Sequence, residues 1–222
     1  MQIEFLCEDP AVLQLYPPKP ANKVIPSWYK DLSIWKKDDA LNIDTPTIKN
    51  CMPAQDYMLS GYIIFNTYEF TLLSKKNDLY ENIEAVCPHM AHLSSHHHEQ
   101  MPVQIKGSRK QYFKIAQPWM VKTPPGYSCL FQQPFYHFEE RYQLLPAIVD
   151  TDLHDLNVEI PGYLLTNESV KIESGTPLVQ VIPFKRDDWH SNMKVASFGK
   201  SKLANFPNKG YQKEFHSKKN YK

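Results

Sequence analysis

The most informative segment of the sequence is Ile172-Glu173-Ser174-Gly175-Thr176-Pro177-Leu178-Val179-Gln180-Val181. A glycine turn leads there into a run of branched apolar residues, a pattern that is typical of a buried β-strand. Between 120 and 184, similar short runs recur about every ten residues and are separated by Asp, Asn, Pro and Gly. Evenly spaced short strands are typical of a sandwich or a closed barrel. We therefore predict a mainly β domain.

Local patterns place the individual strands and set the N-terminal region apart. Strands are expected over 62–73 as one strand or a pair, 80–86, 111–122 with a break at Pro118, 127–131, 146–149, 156–160, 170–172 and 178–184. Residues 1–60 instead alternate prolines with short helix-compatible stretches, such as the one that Pro26 opens. We predict one β-rich domain over 1–193, in which a proline-rich region over 1–60 wraps a barrel core over 61–193.

Composition limits the class of protein. With 42% hydrophobic and 13% aromatic residues, the 222-residue chain has enough apolar side chain to bury a core. Only 7 glycines occur against 18 prolines, which argues against glycine-rich nucleotide-binding loops. The N-terminus lacks a signal-peptide pattern, and apolar runs such as 62–65 are far shorter than the roughly 20 residues that cross a bilayer. We expect neither secretion through a signal peptide nor a membrane partner.

The C-terminal segment 194–222 carries most of the charge asymmetry. It holds eight lysines against Glu214, a local charge of +7 that leaves −6 on the remainder of a chain whose net charge is +1. Such a segment is expected to be a flexible, solvated tail. The alternative is a contact arm for nucleic acid or an acidic neighbouring subunit, because aromatic residues lie among the lysines.

One histidine-rich stretch is a candidate metal site. The segment from Cys87 to Glu99 contains one thiol, five imidazoles and one carboxylate. A helix through His92 and His96 would place these side chains on one face, with His98 nearby, as ligands for a divalent metal. The spacing completes no zinc motif, and the alternative is a solvated histidine run in a polar loop. No other cofactor is indicated.

A resemblance to a known superfamily follows from three segments in order. These are Thr123-Pro124-Pro125-Gly126-Tyr127-Ser128, then Ala147-Ile148-Val149-Asp150-Thr151-Asp152, then the segment 172–181. Over about residues 120–184 the chain resembles the trimeric dUTPases and dCTP deaminases. The resemblance implies a dUTPase-like or jelly-roll-like β-barrel. It also implies that Asp150 would orient an attacking water as a general base.

The chain departs from that superfamily at the positions that support catalysis. Leu153 stands where dUTPases have a tyrosine near the sugar, and Asp155 stands where they have glycine. The Arg-Ser pair of the phosphate site is absent, because Ser128 follows a tyrosine. The alternative for Asp150 and the two aspartates after it is a turn between two strands. Asp150 is therefore a catalytic candidate only if the protein is an enzyme.

A second resemblance covers nearly the whole chain. It rests on Val24-Ile25-Pro26-Ser27-Trp28-Tyr29-Lys30, on Thr47-Ile48-Lys49-Asn50-Cys51-Met52-Pro53, on 118–131 and on Ile182-Pro183-Phe184-Lys185-Arg186-Asp187-Asp188-Trp189. The chain resembles a family of uncharacterised proteins of tailed phages and some bacteria. That resemblance implies a host cytoplasm or virion setting, with self-association or other viral proteins as partners.

Together these observations favour a non-enzymatic β-barrel protein that acts as a structural, assembly or binding module, including as a virion component. Two alternatives stay open. One is an enzyme that uses Asp150 or a histidine-bound metal on a nucleotide or small metabolite, and the other is a protein that binds a nucleotide without hydrolysis. The four tryptophans, including Trp119 and Trp189, are expected to be core or interface anchors.

Overall fold

A computed structural model describes residues 1–76, 81–86, 93–96 and 112–195, together with Ser217. Over 74–76, 81–86 and 95–96 the description covers the backbone only. The described residues form sixteen strands and three short α-helices. The predicted mainly β class is confirmed.

The α-helices all lie in the N-terminal region. They are α1 (Pro10–Leu15), α2 (Ser27–Asp31) and α3 (Met52–Leu59), and single 3-10 turns cover Ala21–Lys23, Ile48–Asn50 and Phe135–His137. The carboxylate of Asp9 caps α1 by accepting hydrogen bonds from the backbone N–H groups of Ala11 and Val12. Pro26 directly precedes α2, as predicted, while Pro10 and Pro53 lie in the first turns of α1 and α3.

The strands are mostly short. They are β1 (Glu4–Leu6), β2 (Lys19–Pro20), β3 (Trp35–Asp38), β4 (Ile43–Pro46), β5 (Tyr62–Phe65), β6 (Phe70–Lys76), β7 (Glu81–Val86), β8 (Leu93–His96), β9 (Tyr112–Ala116), β10 (Met120–Lys122), β11 (Tyr127–Gln132), β12 (Tyr142–Leu144), β13 (Ala147–Val149), β14 (Glu159–Leu164), β15 (Val170–Ile172) and β16 (Pro177–Lys185). Their pairings are all antiparallel.

Five sheets result from these pairings. Their strand orders are β13-β11-β16-β5-β2, β12-β14-β9-β8, β15-β6-β7, β1-β10 and β3-β4. Within the described ranges no sheet closes on itself, so a closed barrel is not confirmed. The main hydrophobic core draws side chains from several sheets, with Trp119, Phe113 and Leu178 almost fully buried.

Strand β16 is the central strand of the five-stranded sheet. It lies antiparallel to β11 on one side and to β5 on the other. Its pairing with β11 puts Tyr127 opposite Lys185 and Gln132 opposite Gln180. Branched apolar side chains bury easily on such a strand because both of its edges are hydrogen-bonded. This register positions both candidate sites described below.

The junction between α3 and β5 packs directly on β16. Gly61 has a φ of +69°, and a Cβ at this position would lie 2.0 Å from the carbonyl oxygen of Val181. The buried amide of Gln180 donates hydrogen bonds to the carbonyl oxygens of Tyr57 (2.9 Å) and Ser60 (2.8 Å). The end of α3 is therefore tied to the central strand by a close backbone contact and two hydrogen bonds.

The predicted strand boundaries are right for most of the segments before and after the histidine-rich stretch. The 62–73 run forms a pair of strands, and a break separates β9 from β10 around Pro118. The prediction of a strand over 156–160 is wrong, because Leu156 is exposed and regular pairing starts at Glu159, opposite Ala116. The apolar residues around Leu156 have the composition of a strand although they lie in an exposed turn, so composition alone placed the start of the strand too early.

Candidate functional site

Asp150, the catalytic candidate, belongs to a cluster of polar side chains at one end of the β11–β16 pair. We call this set, formed by Ser128, Asp150, Asp152 and Arg186, the Arg186 cluster. Ser128 lies near the start of β11, and Arg186 follows the last residue of β16. The aspartates occupy the turn after β13, where the N–H groups of Leu153 and His154 donate to the carbonyl oxygen of Asp150. The turn predicted for these aspartates is present.

Arg186 uses its guanidinium inside the cluster. Nη1 donates to Asp152 Oδ1 (2.8 Å), to Ser128 Oγ (3.0 Å) and to the carbonyl oxygen of Tyr127 (3.2 Å). Nη2 donates to Asp152 Oδ2 at 2.5 Å. This two-point contact is the geometry in which arginine binds a carboxylate most strongly. The cation is therefore held by protein groups, although 35% of its side chain stays exposed.

Asp152 is the most strongly perturbed acid of the cluster. Its side chain is only 6% exposed. Hydrogen bonds from Arg186, and a further one from the backbone N–H of Gly126 at 2.8 Å, lower the pKa of Asp152 from 3.8 to about 2. Arg186 in turn donates its own backbone N–H to the carbonyl oxygen of Gly126. The turn at Gly126, the aspartate turn and the end of β16 are thereby joined.

Asp150 has a different environment within the same cluster. Its side chain is 55% exposed. Oδ1 accepts a hydrogen bond from the Ser128 hydroxyl at 2.6 Å and lies 3.1 Å from Arg186 Nη1. With one arginine against two aspartates, the cluster carries a formal charge of −1, from +1 and −2. Asp155, the third aspartate of the turn, pairs instead with Lys122, which lowers the pKa of Asp155.

A second candidate site lies at the other end of the β11–β16 pair. A surface cavity of about 320 Å³ is lined there by amide, aromatic and apolar side chains: Tyr57, Gln132, Gln133, Phe135, Tyr136, Gln143, Leu144 and Pro146. We call it the glutamine pocket. No charged side chain lines it. The 3-10 turn Phe135–His137 and the strand β12 supply half of its lining residues.

The amides of the glutamine pocket are only partly used by the protein. Gln133 Oε1 accepts from the backbone N–H of Leu144 at 2.8 Å, and Gln143 Nε2 donates to the Leu144 carbonyl oxygen at 3.1 Å. Gln132 Nε2 is buried without a fully formed hydrogen bond. The Gln132 amide still lies close to the Tyr57 hydroxyl, and this contact lowers the pKa of Tyr57. Burial is the larger effect and raises the pKa of Tyr57.

Aromatic rings surround the glutamine pocket in edge-to-face contacts. Tyr136 lies 5.6 Å from Tyr57 at 66° and 5.2 Å from Phe135 at 89°, measured between ring centroids and planes. Trp28 donates its indole N–H to the Tyr136 carbonyl oxygen, which fixes the turn against α2. Phe135 is 65% exposed and Phe138, outside the pocket, is 54% exposed. The pocket thus opens beside a largely exposed ring.

The predicted histidine site falls mostly outside the described residues. His92 and His98 lie there entirely, and for His96 only the backbone is described. The expected helix through His96 is wrong, because Leu93–His96 is the strand β8, in which His96 pairs with Tyr112. In the described ranges, no group of three or more His, Cys, Asp or Glu side chains could hold a metal. The basic tail is outside the described residues beyond Val195, apart from Ser217.

Sequence reasoning found Asp150 but did not predict its partners Ser128 and Arg186, nor the glutamine pocket. Arg186 lies 58 residues after Ser128 along the chain. Only the antiparallel register of β11 and β16 brings the two side chains together. The sequence did hold one signal for the pocket, the run Gln132-Gln133-Pro134-Phe135-Tyr136, which combines amides with aromatic rings.

Comparisons with known proteins add little to this geometry. No protein-family model matches the chain, and no curated protein matches it. Among solved structures, the chain is similar to the native dUTPase of EIAV, with 10% identity and a TM-score of 0.34, over 61% of this chain and 87% of that chain. A likeness this low carries no argument about activity. The resemblance to phage proteins remains a prediction. Among the described helices, none has the length and apolar character of a membrane span.

Proposed function

We propose that this protein is a non-enzymatic binding module built on a dUTPase-like or jelly-roll-like β fold. The observation that carries the proposal is the internal use of Arg186. Nη1 and Nη2 of its guanidinium donate to Asp152, Ser128 and the Tyr127 carbonyl oxygen, so the cation nearest to Asp150 is already paired within the protein.

Phosphate chemistry needs positive charge or free N–H donors aimed at the transferring group. The Arg186 cluster has no net positive charge, because its formal charge is −1, and the backbone N–H of Gly126 is occupied by Asp152. The carboxylate of Asp150 has one oxygen occupied by the Ser128 hydroxyl and faces the guanidinium. A structural role for this carboxylate, joining the aspartate turn to β11, fits these contacts better than the role of a general base.

The first test is hydrolysis of nucleoside and deoxynucleoside triphosphates with Mg²⁺ present, by the native protein and by Asp150→Asn. We expect the two proteins to show the same rate as buffer alone. Asp155→Asn, which changes an exposed aspartate of the same turn, is the matched control. Hydrolysis that falls at least tenfold in Asp150→Asn and persists in Asp155→Asn would establish the enzyme alternative instead.

Binding of a nucleotide without hydrolysis is the second candidate, because the amides of the glutamine pocket suit the edge of a base, whereas its lining offers no cation for the phosphates. A ligand that binds only the folded state must raise the unfolding temperature. A nucleotide that raises it would support this candidate, and the shift should disappear when a pocket residue is changed. Without a shift, the candidate is excluded over the concentrations used.

The proposal extends to assembly with a second copy of the chain or with phage proteins in a virion or host cytoplasm. Strand β13 supports this because it is an edge strand whose Ile148 is 66% exposed. Light scattering after size-exclusion chromatography measures the mass in solution. A monomer at all concentrations would remove the self-association part of the proposal.

A further inference from the structure

The glutamine pocket is a cavity in which polar side-chain groups remain open to a ligand. Gln133 uses Oε1 for the Leu144 N–H, and its Nε2 has no partner among the residues of the described ranges. Gln143 uses Nε2 for the Leu144 carbonyl oxygen, and its Oε1 likewise has no partner in the described part of the chain. A side-chain amide has two N–H donors and one carbonyl acceptor. Gln133 Nε2 can therefore still donate a hydrogen bond, and Gln143 Oε1 can still accept one.

The lining of the pocket selects an uncharged ligand. None of its eight side chains is acidic, basic or a histidine. Burying a phosphate or an ammonium group there would leave a charge without a partner, which is costly. The volume of about 320 Å³ is at the small end of the range for ligand pockets, so it suits one or two rings rather than a long chain.

The ring geometry distinguishes between two kinds of neutral ring. A flat heterocycle such as a nucleobase gains most when aromatic groups cover both of its faces. The rings of Tyr57, Phe135 and Tyr136 meet at 66° and 89°, so these contacts provide no parallel pair of rings to enclose one. One exposed ring face with amides beside it instead suits a ligand with one apolar face and hydroxyl groups around its rim.

A neutral pyranose sugar has that shape and chemistry. Its axial C–H groups form an apolar face that packs on an aromatic ring, and its hydroxyls both donate and accept hydrogen bonds. We propose that the glutamine pocket binds a neutral sugar ring against Phe135 and Tyr136, with Gln133 Nε2 donating to one hydroxyl and Gln143 Oε1 accepting from another. This inference rests on the proposed function as a binding module and specifies its ligand class.

The experiment is a titration of the full chain with glucose, galactose, mannose, N-acetylglucosamine and their disaccharides, followed by NMR of the aromatic side chains. Uridine, thymidine and adenosine form a second set of probes. We expect one sugar to saturate with a Kd of about 1 mM or tighter, and its binding to shift the signals of Tyr57, Phe135 and Tyr136.

Two variants separate the pocket from general surface binding. Phe135→Ala removes a mostly exposed ring, and it should weaken sugar binding about tenfold without unfolding the protein. Phe138→Ala removes a neighbouring exposed ring that does not line the pocket, and binding should stay within about twofold. Gln133→Glu keeps the acceptor for the Leu144 N–H and removes the donor, so it should also weaken binding about tenfold.

Three results would overturn the inference. They are no saturation by any sugar, sugar binding that Phe135→Ala leaves unchanged, and binding of a nucleoside in the pocket where no sugar binds. In the third case the protein remains a binding module and the ligand class is wrong. Failure of the proposed function is read separately, from triphosphate hydrolysis that depends on Asp150 and involves no pocket residue.

Discussion

The Arg186 cluster and the glutamine pocket lie at opposite ends of one pair of strands, and they use polar groups in opposite ways. Ser128 of β11 and Arg186 after β16 form one end, and Gln132 faces Gln180 at the other. The cluster pairs its arginine with both of its aspartates, whereas the pocket keeps a donor and an acceptor open. Charged residues are therefore not the best guide to a binding site in this protein.

The two ends of the strand pair can be changed separately by mutation. The close backbone contact at the pocket end is the most sensitive position.

Gly61→Ala should have the largest effect on stability. The new Cβ would overlap the Val181 carbonyl oxygen, 2.0 Å away, and the residue would keep a φ of +69°. We expect a loss of about 4 kcal/mol from the free energy of unfolding, measured by urea denaturation. Gly126→Ala, on the cluster side, is the matched control. Its φ is +83° but nothing lies within 4 Å of a Cβ, so it should cost only about 1 kcal/mol.

Equal losses at Gly61 and Gly126 would mean that the contact with Val181 relaxes, and that the pocket end is less rigid than described.

Gln180→Leu should have the next largest effect. The substitution keeps the side chain's size but removes the buried amide that donates to the carbonyl oxygens of Tyr57 and Ser60. We expect a loss of about 3 kcal/mol in the same measurement. Gln14→Leu, on the exposed side of α1, should change stability by less than about 0.5 kcal/mol. A small loss at Gln180 would show that water replaces the amide.

Acid should weaken the cluster end selectively. The folded-state pKa of Asp152 is about 2, below the ordinary value of 3.8. A depressed carboxyl pKa gives stability that is fully present above about pH 4 and is lost as the pH falls toward 2. We expect the unfolding temperature of the native protein to fall more between pH 4 and pH 2 than that of Asp152→Asn. Parallel curves for the two proteins would contradict the ion pair.

Asp155→Asn is the control for the acid prediction. The pKa of Asp155 is also lowered, by Lys122, but the carboxylate is 80% exposed. Solvent and salt screen such a pair, so its removal should alter the acid dependence much less than removal of the Asp152 carboxylate.

Phe135→Ala should have the smallest effect on stability. The ring is mostly exposed, so its removal should change the free energy of unfolding by less than about 0.5 kcal/mol while weakening the proposed ligand contact. A large destabilisation would mean that the ring supports the 3-10 turn rather than a ligand. The contrast with Gln180→Leu would then be lost.

The sequence predicted the fold better than it predicted the sites. Strands such as β15 and β16 could be predicted because runs of branched apolar residues end at glycine or proline turns. Trp119 is buried as expected, but Trp189 is 89% exposed. Residue type alone cannot decide this difference, because it depends on whether the chain around each ring is covered by other elements.

The sites depend on register, which local sequence does not determine. Asp150 was proposed through a resemblance to a motif, but its partners Ser128 and Arg186 are brought in by antiparallel pairing of distant strands. The same holds for the pocket, where α3, the end of β11 and β12 meet. The two ends differ in how far their polar groups are hydrogen-bonded within the protein. That difference can be seen only once the distant segments are folded together.

The hydrogen bonds that fix Arg186 also determine where a protease can cleave the chain. Trypsin needs an extended, accessible arginine or lysine, and Arg186 is fixed by its backbone bond to Gly126 and by its guanidinium contacts. Residues 187–195 beyond it are mostly exposed, including Lys194. Among the described residues after β16, trypsin should therefore cut after Lys194 and spare the Lys185–Arg186 pair, so the cluster stays intact in the fragment that remains.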